Sequence, residues 1–237
     1  MTTQPPTVQL VVSWAIRHKA DKDTVIGSCV ETFMGGLGLD APSGWGIADP
    51  GEHPWDIEEM TWFVRSRMPE PTRLVIGGPP GTAALTMTVS RTSHGVEEVV
   101  TGFITAGLWD DSQSAKRVDM VVDALEMMCA GTMPLFAIVL VRAGWADAGA
   151  NQPRTPLAPV AMLIGPPGVR ELGLDVGQFQ EKFGARAAGR TRLPGLVFPL
   201  VSDEEDGPAK LTRIVTTIGE DKIWSALGWN VNPQGGM

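Results

Sequence analysis

Residues 44–78 read GWGIADPGEHPWDIEEMTWFVRSRMPEPTRLVIGG. In order, they predict a short strand or bend, a tryptophan-bearing turn, a capped amphipathic helix, a proline-bracketed connection and a buried strand ending in glycines. Asp56, with Glu59 three residues on, matches a capping-box-like helix start. Ile57, Met60, Phe63 and Val64 then fall on one helical face. Pro69 stops the helix because its ring cannot continue the hydrogen-bond ladder and it restricts Met68. Arg73–Ile76 reads as a short buried strand, completing an α-to-β unit. Trp45, Trp55, Asp56 and Pro69 are therefore expected to be structural, the two tryptophans locking the turn against the helix start.

On the N-terminal side, Val8, Leu10, Val12 and Trp14 alternate with Gln9, Val11 and Ser13, the pattern of a strand with a buried face. Arg17–Lys22 reads as a charged bend holding His18, which is expected at the surface. Asp23 can cap a helix over 24–37 that Gly35, Gly36 and Gly38 end. On the C-terminal side, Ala84–Arg91 and Val96–Thr105 are β-type runs joined through Thr92–Gly95, a hairpin signal. Val118, Val121, Val122, Leu125, Met128 and Cys129 share one face of a helix over 114–129 that Gly131 closes. Met127, Met128 and Met133 are expected to be core filler. Leu135–Val141 suits a strand covered on both faces. Further strands are expected at Val160–Ile164 and Leu196–Val201, with an alternating exposed-edge strand at Leu211–Ile218. Short helices are expected at Pro167–Leu172, Val176–Phe183 and Asp221–Leu227.

The sequence GGPPGT at 77–82 resembles the start of a nucleotide-binding loop, but Ala83 and Ala84 stand where glycine and lysine are needed. Without the lysine that reaches the terminal phosphates, the segment is expected to be a turn between strands. The GPPG at 165–168 lacks the lysine too.

Net charge is -8, with no clustered Lys and Arg of the kind that tracks a phosphate backbone, so nucleic acid is excluded as a partner. No run of about 18 apolar residues and no leader pattern is present, and a cytoplasmic protein without membrane insertion is expected. Cys29 and Cys129 form no CxxC pair and are expected to be buried free thiols. The histidines lack metal-ligand spacing, so neither a metal site nor a cofactor is expected, and no catalytic motif is present. Glu97 and Glu98 are adjacent on a strand and point to opposite faces, a poor acid/base pair, and at least one is expected on a solvated face. Candidate partner-binding residues are Trp145, in the irregular stretch GWADAGANQPRTPLAP, and Arg186, Arg190 and Arg192, a small basic patch in an acidic chain.

Four segments carry a family resemblance: GWGIADPGEHPWD at 44–56, RSRMPEPTRLVIGG at 65–78, VSRTSHGVEEVVT at 89–101 and GPPGVRELGLD at 165–175. Together they resemble the C-terminal half of an actinobacterial family of unknown function encoded beside type VII (ESX-like) secretion genes. The resemblance spans roughly residues 8–200 and implies a bacterial accessory protein. It supplies no catalytic residues.

The expected fold is α+β: a mixed, largely antiparallel sheet with helices packed on it in a two- or three-layer sandwich. Residues 1–7 and 230–237 are expected to be flexible tails, 8–143 an α+β core, 144–159 a loop or linker, and 160–229 a second α+β segment packed on the same core. The function expected is non-enzymatic binding of a protein partner, including the chain itself. The alternatives are an immunity protein that neutralises a toxin, a self-assembling structural subunit, and an enzyme or small-ligand binder with a non-standard site drawing on His94, Glu97, Glu98 and the arginines at 186–192.

Overall fold

The computed structural model describes residues 7–18, 24–78, 83–106, 114–144, 157–201 and 206–229. In chain order its elements are β1 (Thr7–His18), α1 (Ser28–Gly36), β2 (Gly44–Gly46), β3 (His53–Pro54), α2 (Ile57–Arg67), β4 (Thr72–Gly77), β5 (Ala83–Thr92), β6 (Gly95–Ala106) and α3 (Ser114–Thr132). There follow β7 (Phe136–Gly144), β8 (Ala158–Ile164), α4 (Pro166–Leu172), α5 (Val176–Phe183), β9 (Arg186–Arg190), β10 (Leu193–Pro199), α6 (Gly207–Ile218) and α7 (Glu220–Leu227). The strands form one sheet in the order β3-β2-β4-β5-β6-β1-β7-β8-β10-β9. Neighbouring strands pair antiparallel throughout, so the fold is α+β and its sheet has no parallel component among the described residues.

Strand periodicity separates the core into two layers, one on each face of the sheet. Leu10, Val12, Trp14 and Ile16 of β1 join Cys29, Val30, Phe33 and Met34 of α1 and Val121, Val122, Leu125 and Met128 of α3. On the opposite face, Phe136, Ile138 and Leu140 of β7 join Leu172, Phe179, Phe183, Leu211, Ile214 and Leu227 from α4 to α7. The central strands are covered on both sides, as the continuous apolar run at 135–141 requires: Ala137 and Val139 face the first layer while Phe136 and Ile138 face the second. Each large side chain withdrawn from water this way contributes about 1.5–3 kcal/mol.

The opening stretch folds as its residues dictate. The Asp56 carboxylate accepts from the Glu58 and Glu59 N–H groups at 2.8 and 3.0 Å, capping α2. Met60, Thr61 and Val64 are buried, and at Met68 the backbone turns extended ahead of a cis Met68–Pro69 bond. Trp45 is fully buried, stacked on His53 with ring centroids 4.3 Å apart and tilted against Phe63. The Trp55 indole N–H donates to Glu31 of α1 at 2.5 Å, tying α1 to the start of α2. The loop between β2 and β3 is clasped by Glu52, whose carboxylate accepts from the consecutive Ile47, Ala48 and Asp49 N–H groups at 2.8, 3.0 and 2.9 Å.

Several expectations need correction. Residues 211–218 are the last eight of the twelve residues of α6, not an edge strand: Leu211, Ile214, Val215 and Ile218 bury one helical face. The first helix begins at Ser28, behind a left-handed Gly27, and Asp23 lies outside the described residues. Strand β1 continues through Arg17 and His18 where a bend was expected. Gly131 does not close α3, which runs to Thr132. Met127 is 52% exposed and is not core filler, whereas Met128 is fully buried. Gly165–Gly168 opens a helix: Gly165 caps α4, with Pro166 at its first position. The first GPPG falls partly outside the described residues, but it connects the antiparallel pair β4 and β5, not a strand to a helix as a phosphate loop would.

Candidate functional site

The polar residues of highest chemical interest meet at one end of the central strands. In the β1–β6 register Ile16 pairs with Glu98, Arg17 with Glu97 and His18 with Val96. Alternation therefore sends His18 and Glu98 to the α1 side and Arg17 and Glu97 to the other. Neither glutamate lies on a solvated face, contrary to expectation: Glu98 is completely buried and the Glu97 side chain is 23% exposed. The surface position expected for His18 is likewise overturned, because its side chain is only 13% exposed.

On the α1 side a chain of hydrogen bonds runs from core to rim. The Trp14 indole N–H donates to the Cys29 sulfur at 3.1 Å, and the Cys29 thiol donates to Glu98 Oε1 at 3.1 Å. The Gly27 N–H at the head of α1 also donates to Oε1, at 3.3 Å, and His18 Nε2 stands 3.2 Å from Oε2. Burial, followed by the adjacent Glu98 carboxyl, pushes the Cys29 thiol well above its ordinary range. Nucleophilic chemistry needs the thiolate, and an activating histidine would have to reach the sulfur. Here His18 bonds to Glu98 instead, and the thiol is spent as a donor. The cluster is a buried polar knot that fixes α1 on β1 and β6. Losing the Glu98 carboxyl would leave donors without acceptors, a defect of about 1–3 kcal/mol each.

On the opposite side, Arg17 donates to both carboxylate oxygens of Glu171 on α4, at 2.8 and 3.1 Å, and lies 3.7 Å from Glu97. The two networks lie back to back through the sheet, so each helix layer is tied to the same strand ends. Among the described residues no group of three His, Cys, Asp or Glu is arranged to hold a metal ion.

The remaining candidates do not join this cluster. His94 occupies the two-residue turn between β5 and β6, in the hairpin expected at 92–95, and is exposed. Arg186 and Arg190 lie on β9, five strand spacings from β6 across the sheet, or roughly 24 Å. Arg186 is engaged internally, with Asp119, Asp123 and Glu126 of α3 at 3.0, 3.4 and 3.7 Å. Arg190 and Arg192 are exposed. Trp145 lies outside the described residues. What the sequence did not single out is Trp62, 69% exposed on α2, and Trp224, 57% exposed on α7. For Trp62 a signal was available: it falls off the apolar face formed by Ile57, Met60 and Val64.

These observations define an α+β protein built on one antiparallel sheet between two helix layers. The chain belongs to the DUF6177 C-terminal domain family, which it matches over residues 9–220. No curated protein matches the sequence. Among solved structures, Pseudomonas aeruginosa T6SS protein PA0821 is similar at a distance: 8% identity, a TM-score of 0.48, and coverage of 90% of this chain and 76% of that chain. No helix among the described residues is long and apolar enough to cross a membrane.

Proposed function

We propose that the protein is a non-enzymatic binding protein that engages another protein through the α2 face bearing Trp62. The observation that carries this reading is the 69% exposure of Trp62 on a helix fixed by its cap and by buried Met60 and Val64. A rigidly mounted indole offers large contact area at little conformational cost, the property of an interface anchor. Glu58 and Arg65, at helical spacing on either side of it, would supply a polar rim. The separation of the β9 arginines from β6, and the use of Cys29 as a buried donor, weigh against the enzyme reading. From the resemblance of the segments at 44–56, 65–78 and 89–101, we assign the protein to the accessory machinery of a type VII secretion system in an actinobacterial cytoplasm.

The test compares the unaltered protein with Trp62→Ala as bait in native host extract, followed by calorimetry with the recovered partner. The expected result is a stoichiometric partner whose affinity drops by about 30-fold or more in the variant, with an unchanged melting temperature. Failure to recover any stoichiometric partner, or an affinity indifferent to Trp62, would overturn the proposal.

A further inference from the structure

The two helix layers cover the sheet unequally. The second layer takes in Ala15 of β1 and touches Val11 and Val99 at its margin, but among the described residues it includes nothing from β4 or β5. Leu74, Met87 and Val100 lie in the first layer, so alternation sends Arg73 and Val75 of β4, Thr86 and Thr88 of β5, and Thr101 and Phe103 of β6 to the other face. The alternation carries through Gly102, because Val100 and Ile104 on either side of it both lie in the first layer. The strand registers set these side chains in ranks, Val75–Thr86–Thr101 and Arg73–Thr88–Val99. Arg73 and Thr101 are exposed, and Phe103 is 39% exposed although it stands on an interior strand. Pro50, from the loop clasped by Glu52, lies over Gly77 on the same face, 2.8 Å from where a β-carbon on that glycine would stand.

The charges on this bare face select its occupant. Arg73 stands at one corner, with no acid at ion-pair distance among the described residues. At the diagonal corner Glu97 lies 3.7 Å from Arg17, whose guanidinium is already donated to both oxygens of Glu171. Two carboxylates there share one guanidinium. A cation at one corner and surplus acid two strands away make a pattern that complements itself when turned over. A partner surface of uniform charge would match one corner and repel the other.

We propose that the bare face of β4, β5 and β6 packs on the same face of a second copy of this chain, about a two-fold axis running along β5. In that arrangement β4 of each copy lies over β6 of the other. Arg73 comes above Val99 of the second copy, one same-face step of about 7 Å from its Glu97, within reach of an arginine side chain. Symmetry forms the pair twice. Phe103 comes above Gly77 of the second copy, where Pro50 covers it. Along the axis Thr86 and Thr88 meet their own counterparts, side chains small enough to let two sheets stack at about 10 Å. A face of three strands, about 14 Å wide and 20 Å long, is small beside a standard interface, so the dimer is weak and concentration-dependent. Helix α2 packs on the opposite face, through Met60 and Val64 of the first layer, so the contact is independent of the binding role assigned to Trp62.

The measurement is the solution mass of the full chain by light scattering, over a concentration series reaching about 1 mM at low salt, for the unaltered protein, Arg73→Glu, Thr88→Arg and Trp62→Ala. The mass of the unaltered protein is expected to climb toward twice the 25.3 kDa of one chain. Arg73→Glu sets a carboxylate against Glu97 of the second copy, and Thr88→Arg sets two cations against each other on the axis. Each is expected to weaken dimerisation at least tenfold while the monomer stays folded, and should one fail to fold, the other decides. Trp62→Ala is expected to dimerise like the unaltered protein. A monomer at every concentration overturns the proposal, as does a dimer indifferent to both bare-face substitutions or one abolished by Trp62→Ala. None of these results touches the recovery of a Trp62-dependent partner, which is measured separately.

Discussion

Glu52 stabilises its loop through three consecutive backbone N–H groups, and those bonds, Ile47 first, hold its carboxyl below the ordinary glutamate range. A lowered folded value means that the clasp contributes stability above the ordinary range and loses it as pH falls through the lowered value. Glu52→Gln is therefore expected to melt earlier than the unaltered protein at neutral pH, with the gap closing in acid, as thermal melts at several pH values will show. The two thiols shift the other way. Burial raises Cys129 to about 11 and Cys29 well above its ordinary range, so both are protonated and enclosed at neutral pH. Alkylation by iodoacetamide is expected to leave both unmodified in the folded protein and to reach both in denaturant. The burial of both thiols could be read from their helical apolar patterns. The convergence of Cys29 with His18 and Glu98 could not, because alternation assigns a residue to a face and says nothing about which distant strand will lie beside it.

At the scale of elements, α1 and α3 cross where Gly36 meets Ala124. A β-carbon on Gly36 would lie 2.7 Å from the Ala124 α-carbon, too close for either backbone to accommodate. Intrinsic propensity favours alanine over glycine in a helix by up to about 1 kcal/mol, while overpacking against backbone costs about 1–3 kcal/mol. Gly36→Ala is therefore expected to destabilise. Gly35→Ala, where a β-carbon meets nothing within 4 Å, is expected to stabilise by about 0.5–1 kcal/mol. Urea denaturation of the pair separates the two effects, and equal shifts of one sign would contradict the crossing. Helix α2 was legible because its cap, apolar face and proline stop agree. Helix α6 was not: Thr212, Thr216 and Thr217 lend a β-type composition, and its Leu211, Ile214, Val215 and Ile218 stripe also contains a passable alternation over a short window. Tertiary packing against β8 and α7 settles the ambiguity, and that information lies outside the segment.

Across the whole molecule, β1 belongs to both halves: it pairs with β6 on one side and β7 on the other, and its two faces serve the two helix layers. Arg17 adds a polar tie to α4. Melts followed by far-ultraviolet circular dichroism and by tryptophan fluorescence are accordingly expected to coincide in one transition, and separated midpoints would show that the layers unfold independently. The same strand shapes how the fold is reached. Val12 pairs with Gly102 and with Val139, so during synthesis β1 precedes its two neighbours by roughly the length of a small domain each. Until they arrive it is an apolar segment with both edges bare, and closing such long loops sets a high contact order. Because β1 is completed only once β6 and β7 have been made, this chain is expected among the slower folders.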